Sequence, residues 1–158
     1  MQGSPKIVER LGDLLAAELA AVNTYFLHAK LLENWGYPPL AKHSYDESMG
    51  EMRHAEQLVD RIIYLDAQPN LQRMSRVRTG ATVTEQLEQQ LEVEMSTREA
   101  LIEAIGLCNA EHDDGTRLLL EPMLSEGEGS IDWLETQLGL IASLGEPAYL
   151  AQQISADE

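Results

Sequence analysis

Apolar residues recur every three to four positions along four long stretches of the chain, the spacing of amphipathic helices. In the first stretch the stripe is Leu11, Leu14, Leu15, Val22, Tyr25 and Phe26. Ser4-Pro5 offers a cap followed by a proline at the first helical position, and Gly36-Tyr37-Pro38-Pro39 offers an end and a restart. A second helix is predicted from about Leu40 to Leu65. Pro69-Asn70 closes it, and Gln68 to about Thr82 carries no stripe, only a connection containing Arg73, Arg76 and Arg78. Thr82-x-x-Glu85 has the form of a capping box, behind which Leu87, Leu91, Met95, Leu101, Ile102 and Ile105 predict a third helix ending near His112-Asp113-Asp114-Gly115. The fourth stripe is Leu120, Leu124, Ile131, Leu134, Leu138 and Ile141, with Pro122, Gly127 and Gly129 as interruptions that weaken it. Gly145 ends this helix, and Pro147 to Ile154 predicts a short fifth helix before an acidic tail. The pattern is all-α: a four-helix bundle with a long crossover between helices 2 and 3. No β-branched run alternates with the helices, which excludes a βαβ enzyme.

At 158 residues the chain fits a single domain spanning 1–158. Its formal charge is -16, from 27 acidic against 11 basic residues, and that argues against nucleic acid as a partner. Cys108 is the lone cysteine, and neither a signal-peptide pattern nor a membrane-length apolar run is present, so we expect a cytoplasmic protein with no membrane role. The acidity either serves solubility or gathers cations, and composition alone favours the former.

The informative acids are those on apolar stripes, because burying a carboxylate is costly. Glu18 lies on the first stripe, Glu51 lies between Ser48 and Ala55, and Glu94 lies between Leu91 and Leu101. His54, three residues after Glu51, shares its helical face, so one cation can meet both. An isolated Glu-x-x-His is more often a solvated pair. Carboxylates from two flanking helices reverse that weighting, since a cation is the simplest way to stabilise them together.

Over nearly its whole length the sequence resembles the bacterioferritins. The resemblance is carried by Asn23-x-Tyr25-Phe26-Leu27-His28-Ala29, Glu51-Met52-Arg53-His54-Ala55-Glu56, Pro69-Asn70-Leu71-Gln72 and Ile131-Asp132-Trp133-Leu134-Glu135-Thr136. It implies a ferritin-like bundle whose di-iron ligands are one Glu from each of two helices and a Glu-x-x-His from each of the others. Carried over, these are Glu18, Glu94 and the pair Glu51 and His54 as catalytic metal ligands, while the second pair falls on Gly127 and Ser130 and is absent. Glu126 and Glu128 point about 100° to either side of that position. Glu18, Glu51 and His54 then hold one cation, and the other side keeps Glu94 with a shared Glu51. The family activity is ferroxidase, Fe2+ to Fe3+ with O2. We expect it to be weak or absent in a shell made only of this chain, because two-metal chemistry needs both positions filled.

The resemblance further implies that Met52 from two subunits ligates one haem b, with Asn23, Phe26 and Tyr45 as pocket walls, and that twenty-four subunits enclose an iron store. Asp46 and Gly50 depart from the pattern of an inner iron site, and His28, His43 and His112 read as exposed, ordinary polar residues. The expectation is a haem-binding iron-storage subunit in a hetero-oligomer with a ferroxidase-competent subunit, with a ferredoxin-like reductant as a further partner. One alternative is a self-sufficient ferroxidase with a centre rearranged around Glu126 or Glu128. Another is a protective shell without metal turnover.

Overall fold

The computed structural model describes residues 1–155, and the acidic tail expected after Ile154 extends beyond them. Five helices follow in order: α1 (Pro5–Trp35), α2 (Pro38–Tyr64), α3 (Val83–Ala110), α4 (Asp114–Leu144) and α5 (Glu146–Ala151). Among the described residues there is no strand. Nor, among the described residues, is any helix long and apolar enough to cross a membrane.

The ends follow local chemistry. Pro5 opens α1, and Gly36 closes it at φ 90°, a left-handed conformation that favours glycine. Thr82 Oγ1 accepts the backbone N–H of Glu85 at 3.1 Å while the Glu85 carboxylate accepts the N–H of Ala81 at 2.8 Å, giving the reciprocal cap of α3. Asp113 caps α4 and also accepts from Arg61 Nη2 at 3.0 Å, tying the α3–α4 turn to α2. Gly115 permits that approach, since a Cβ there would lie 2.7 Å from the guanidinium.

The fourth helix differs from the sequence expectation: it runs unbroken through Pro122, Gly127 and Gly129. Pro122 is exposed, and Leu118, whose carbonyl loses its helical partner, is 60% exposed, so water can satisfy the freed oxygen. The fifth helix is shorter than predicted and stops at Ala151.

α1 packs on α2 and α3 on α4, and the two pairs join chiefly through α1 and α3. Their apolar stripes form two clusters. One contains Leu14, Leu15, Leu58, Ile62, Leu101 and Leu120. The other contains Leu32, Leu40, Leu87, Leu134, Ile141 and Tyr149. Between them lies a belt of buried polar side chains: Glu18, Glu51, Glu94, His28, Ser44, Ser48 and Gln90. The crossover from Leu65 to Thr82 lies along α1: Ser75 N–H donates to Ala16 O at 3.2 Å, Arg73 pairs with Asp13 at 2.7 Å, and Arg78 N–H donates to Thr24 Oγ1 at 3.2 Å.

Candidate metal centre

Glu18, Glu51 and Glu94 are 2%, 8% and 3% exposed, so all three predicted acids enter the belt from three different helices. Single ligand atoms of Glu18, Glu51 and His54 lie within 4.8 Å of one another. His54 Nδ1 is 3.2 Å from Glu51 Oε2 and 3.8 Å from Glu18 Oε2, and the latter oxygen is buried with no hydrogen-bond partner. Two carboxylates and an imidazole converging from α1 and α2 can hold one cation.

The electrostatics fit a site that awaits positive charge. Burial, then repulsion from Glu18, pushes the Glu51 carboxyl up to about 8, with His54 only partly offsetting them. Burial acts to lower the His54 pKa, but hydrogen bonding and attraction to Glu18 and Glu51 overcome it and raise the imidazole to about 11. Burial and then Glu51 raise Glu94, whose Oε1 accepts a 2.6 Å bond from Tyr25 OH. Burial and the Glu94 charge hold the Tyr25 phenol above its usual range, so it remains a donor. A cation at the cluster replaces protons that the metal-free protein must retain.

Gly127 and Ser130, where the sequence resemblance expects a second Glu-x-x-His pair, face this centre from α4. A Cβ at Gly127 would lie 3.7 Å from Glu94 Oε2, ordinary contact distance, so the gap is a missing side chain in a helix otherwise in register. Glu126 does swing inward and accepts a short bond from His54 Nε2. That nitrogen is on the opposite edge of the ring from the one facing Glu18 and Glu51, so Glu126 orients the imidazole without filling the vacated ligand position. Glu128 turns away to Arg98 at 2.9 Å.

Two readings of the sequence need revision. His28 is fully buried: its Nε2 donates to Arg78 O at 3.1 Å and its Nδ1 accepts from Gln90 Nε2 at 2.8 Å. Burial lowers its pKa to about 4, which keeps this single neutral tautomer. The cue was its place on the face of Tyr25, Ala29 and Leu32. His43 is half-buried and stacks on Trp133 with ring centroids 3.6 Å apart, and only His112 is exposed as expected.

Glu47, unnoticed in the sequence, joins the centre. One oxygen each from Glu47, Glu51 and Glu94 lie within 4.8 Å of one another. A cavity of about 390 Å³ lined by Glu47, Glu51, His54, Gly127, Ser130 and Trp133 opens onto the first two of these acids. On the outer face of α1 and α2, Met52 is 47% exposed, and Phe26 and Tyr45, each 43% exposed, sit with ring centroids 6.5 Å apart. Asn23 instead turns its amide to Met74 Sδ of the crossover at 3.1 Å.

A four-helix bundle with carboxylates and a histidine at its waist defines a class, and a family model of the ferritin-like domain matches residues 8–144. The chain is 45% identical over 155 residues to the bacterioferritin of Mycolicibacterium paratuberculosis, with 98% of each chain covered. It is 44% identical over 155 residues to bacterioferritin BfrA of Mycobacterium tuberculosis, again covering 98% of each, and 47% identical over 154 residues to the bacterioferritin of Streptomyces coelicolor, covering 98% of this chain and 92% of the relative. The chain belongs to the bacterioferritin family.

Proposed function

We propose that this chain is an iron-storage subunit of a multisubunit shell that takes up Fe2+, binds it at Glu18, Glu51 and His54, and relies on a ferroxidase-competent partner subunit for rapid oxidation. The carrying observation is the asymmetry of the centre. On one side two buried carboxylates and an imidazole converge, and on the other α4 presents Gly127 and Ser130. Passing electrons from two ferrous ions to O2 requires both ions at close range, and without the α4 glutamate no second carboxylate bridges them. Glu126 does not repair this, since it bonds the outer nitrogen of His54.

Stopped-flow oxidation of ferrous iron by the homopolymer, beside Gly127→Glu with Ser130→His, tests the reading. The double variant is expected to gain a fast phase that the parent lacks. A parent already as fast as the double variant would make the chain a self-sufficient ferroxidase.

Met52, Phe26 and Tyr45 fit a haem b shared by two subunits: a thioether and two aromatic rings stand on one outer face, exposed in the isolated subunit. Met52 of each subunit would supply an axial sulfur. Bound haem brings an electron-transfer route whose methionine ligands favour the reduced iron, which suits exchange with a ferredoxin-like reductant. Met52→Leu is expected to abolish haem absorbance while the shell still assembles, and a variant retaining the full spectrum would remove the methionine from this role.

A further inference from the structure

Ser130 has work at the position of the missing histidine. Its Oγ donates to Glu47 Oε2 at 2.9 Å across the bundle, from α4 to α2. The Glu47 side chain is drawn in to 25% exposure, where it meets Glu51 and Glu94. Tyr25 orients Glu94 from the other side. Both donors are neutral, and among the described residues no lysine or arginine forms an ion pair with any of the three acids. The nearest basic group is His54 of the adjoining group, whose Nδ1 stands 3.2 Å from Glu51 Oε2, while His43 Nε2 stands 3.9 Å from Glu47 Oε1 and none reaches Glu94. A separate observation also points to a missing cation: Glu18 Oε2, fully buried and without a hydrogen-bond partner, belongs to the adjoining group of Glu18, Glu51 and His54, which shares Glu51 with this one. Gly127, which lines the cavity, places no side chain against Glu94 Oε2.

We propose that Glu47, Glu51 and Glu94 form a second cation site in which Glu47, positioned by Ser130, stands in for the ligands α4 lacks. Oxygens separated by up to 4.8 Å suit one ion held at about 2.2–2.5 Å from each. With carboxylates alone and no imidazole, the site takes hard divalent cations of the Mn2+ and Fe2+ type, whereas Zn2+ prefers the nitrogen of His54. The two sites share Glu51 but no second bridging carboxylate, so the added site is a docking position between cavity and centre, not a restored oxidation pair. The inference rests on the reading that Glu18, Glu51 and His54 bind a cation.

The test is anomalous diffraction from crystals of the homopolymer soaked in manganese chloride, for the parent, Glu47→Gln, Ser130→Ala and Ser130→Thr. Two peaks per subunit are expected in the parent, one beside His54 and one among Glu47, Glu51 and Glu94. Glu47→Gln should lose the second and keep the first. Ser130→Ala should lower the occupancy of the second severalfold, and Ser130→Thr, which keeps the hydroxyl, should restore it. Zinc at the same concentration should fill the His54 position alone. A peak beside His54 only, or a second peak undiminished in Glu47→Gln, overturns this inference while leaving the proposed function intact. Peaks at neither position overturn both.

Discussion

Two groups of polar side chains share the buried belt of the bundle, and they are stabilised in opposite ways. Around His28 the partners are neutral and complementary: Gln90 donates to one ring nitrogen, and the other donates to a backbone carbonyl. Around Glu51 the partners are mainly like charges, with an unpartnered oxygen on Glu18 and carboxyl pKa values driven upward. The first group stabilises the fold. The second opposes it until a cation arrives, which is the trade a binding site makes when its ligand supplies the missing charge. Their responses to pH are accordingly opposed. Glu51, raised from 4.5 to about 8, holds its proton longer in the folded state, so its contribution is present below pH 4.5 and lost as pH rises toward 8. His28, lowered from 6.5 to about 4, must stay neutral to fold, so its contribution is present above pH 6.5 and lost as pH falls toward 4.

The largest expected effect comes from removing the carboxyl that must keep its proton for the metal-free protein to fold. Glu51→Gln, denatured chemically at pH 7 in chelator, should be more stable than the parent by on the order of 3 kcal/mol, with a flatter dependence between pH 4.5 and 8. The same variant, which loses a direct ligand, should bind Zn2+ more weakly by calorimetry by at least the roughly 10–100-fold that loss of an outer partner costs. If the metal-free parent is no less stable than the variant, the contrast between the groups is broken. His28→Gln should act on the other group: the fall in stability from pH 6.5 to 4, about 3 kcal/mol in the parent, should disappear. A slope that survives this change would assign it elsewhere. Smallest is Glu126→Ala, which removes the oxygen orienting His54 from outside. We expect a loss in zinc affinity of roughly tenfold, at the low end of such orienting partners, and no change would make the His54 contact incidental.

The helices were largely legible because their signals are local. Pro5, Gly36, Thr82 and Glu85 act within a few residues of themselves, and the structure places each where the sequence did. Glu18, Glu51 and Glu94 were legible for a related reason: an acid on an apolar stripe is conspicuous in one helix. Glu47 was not, because it sits at the rim of α2 and only Ser130, 83 residues away, draws it inward. The sequence left open whether Glu126 or Glu128 swings inward, and the choice of Glu126 depends on His54 across the bundle, 72 residues away. His28 was misread because histidine is commonly exposed, and its burial depends on Gln90 and on the backbone of the crossover. What escaped the sequence is what two distant segments decide jointly.

The crossover also constrains the order in which the molecule comes together. α1 with α2, and α3 with α4, are joined by short turns and can each form from nearby contacts, while the segment between them has no helix of its own. Its anchors are Asp13, Ala16, Thr24 and His28 on α1, and His28 in turn rests on Gln90 of α3. Its His28 anchor is therefore complete only after both hairpins have met. An exposed strap without a helix of its own is where local opening under a protease or on warming is expected first.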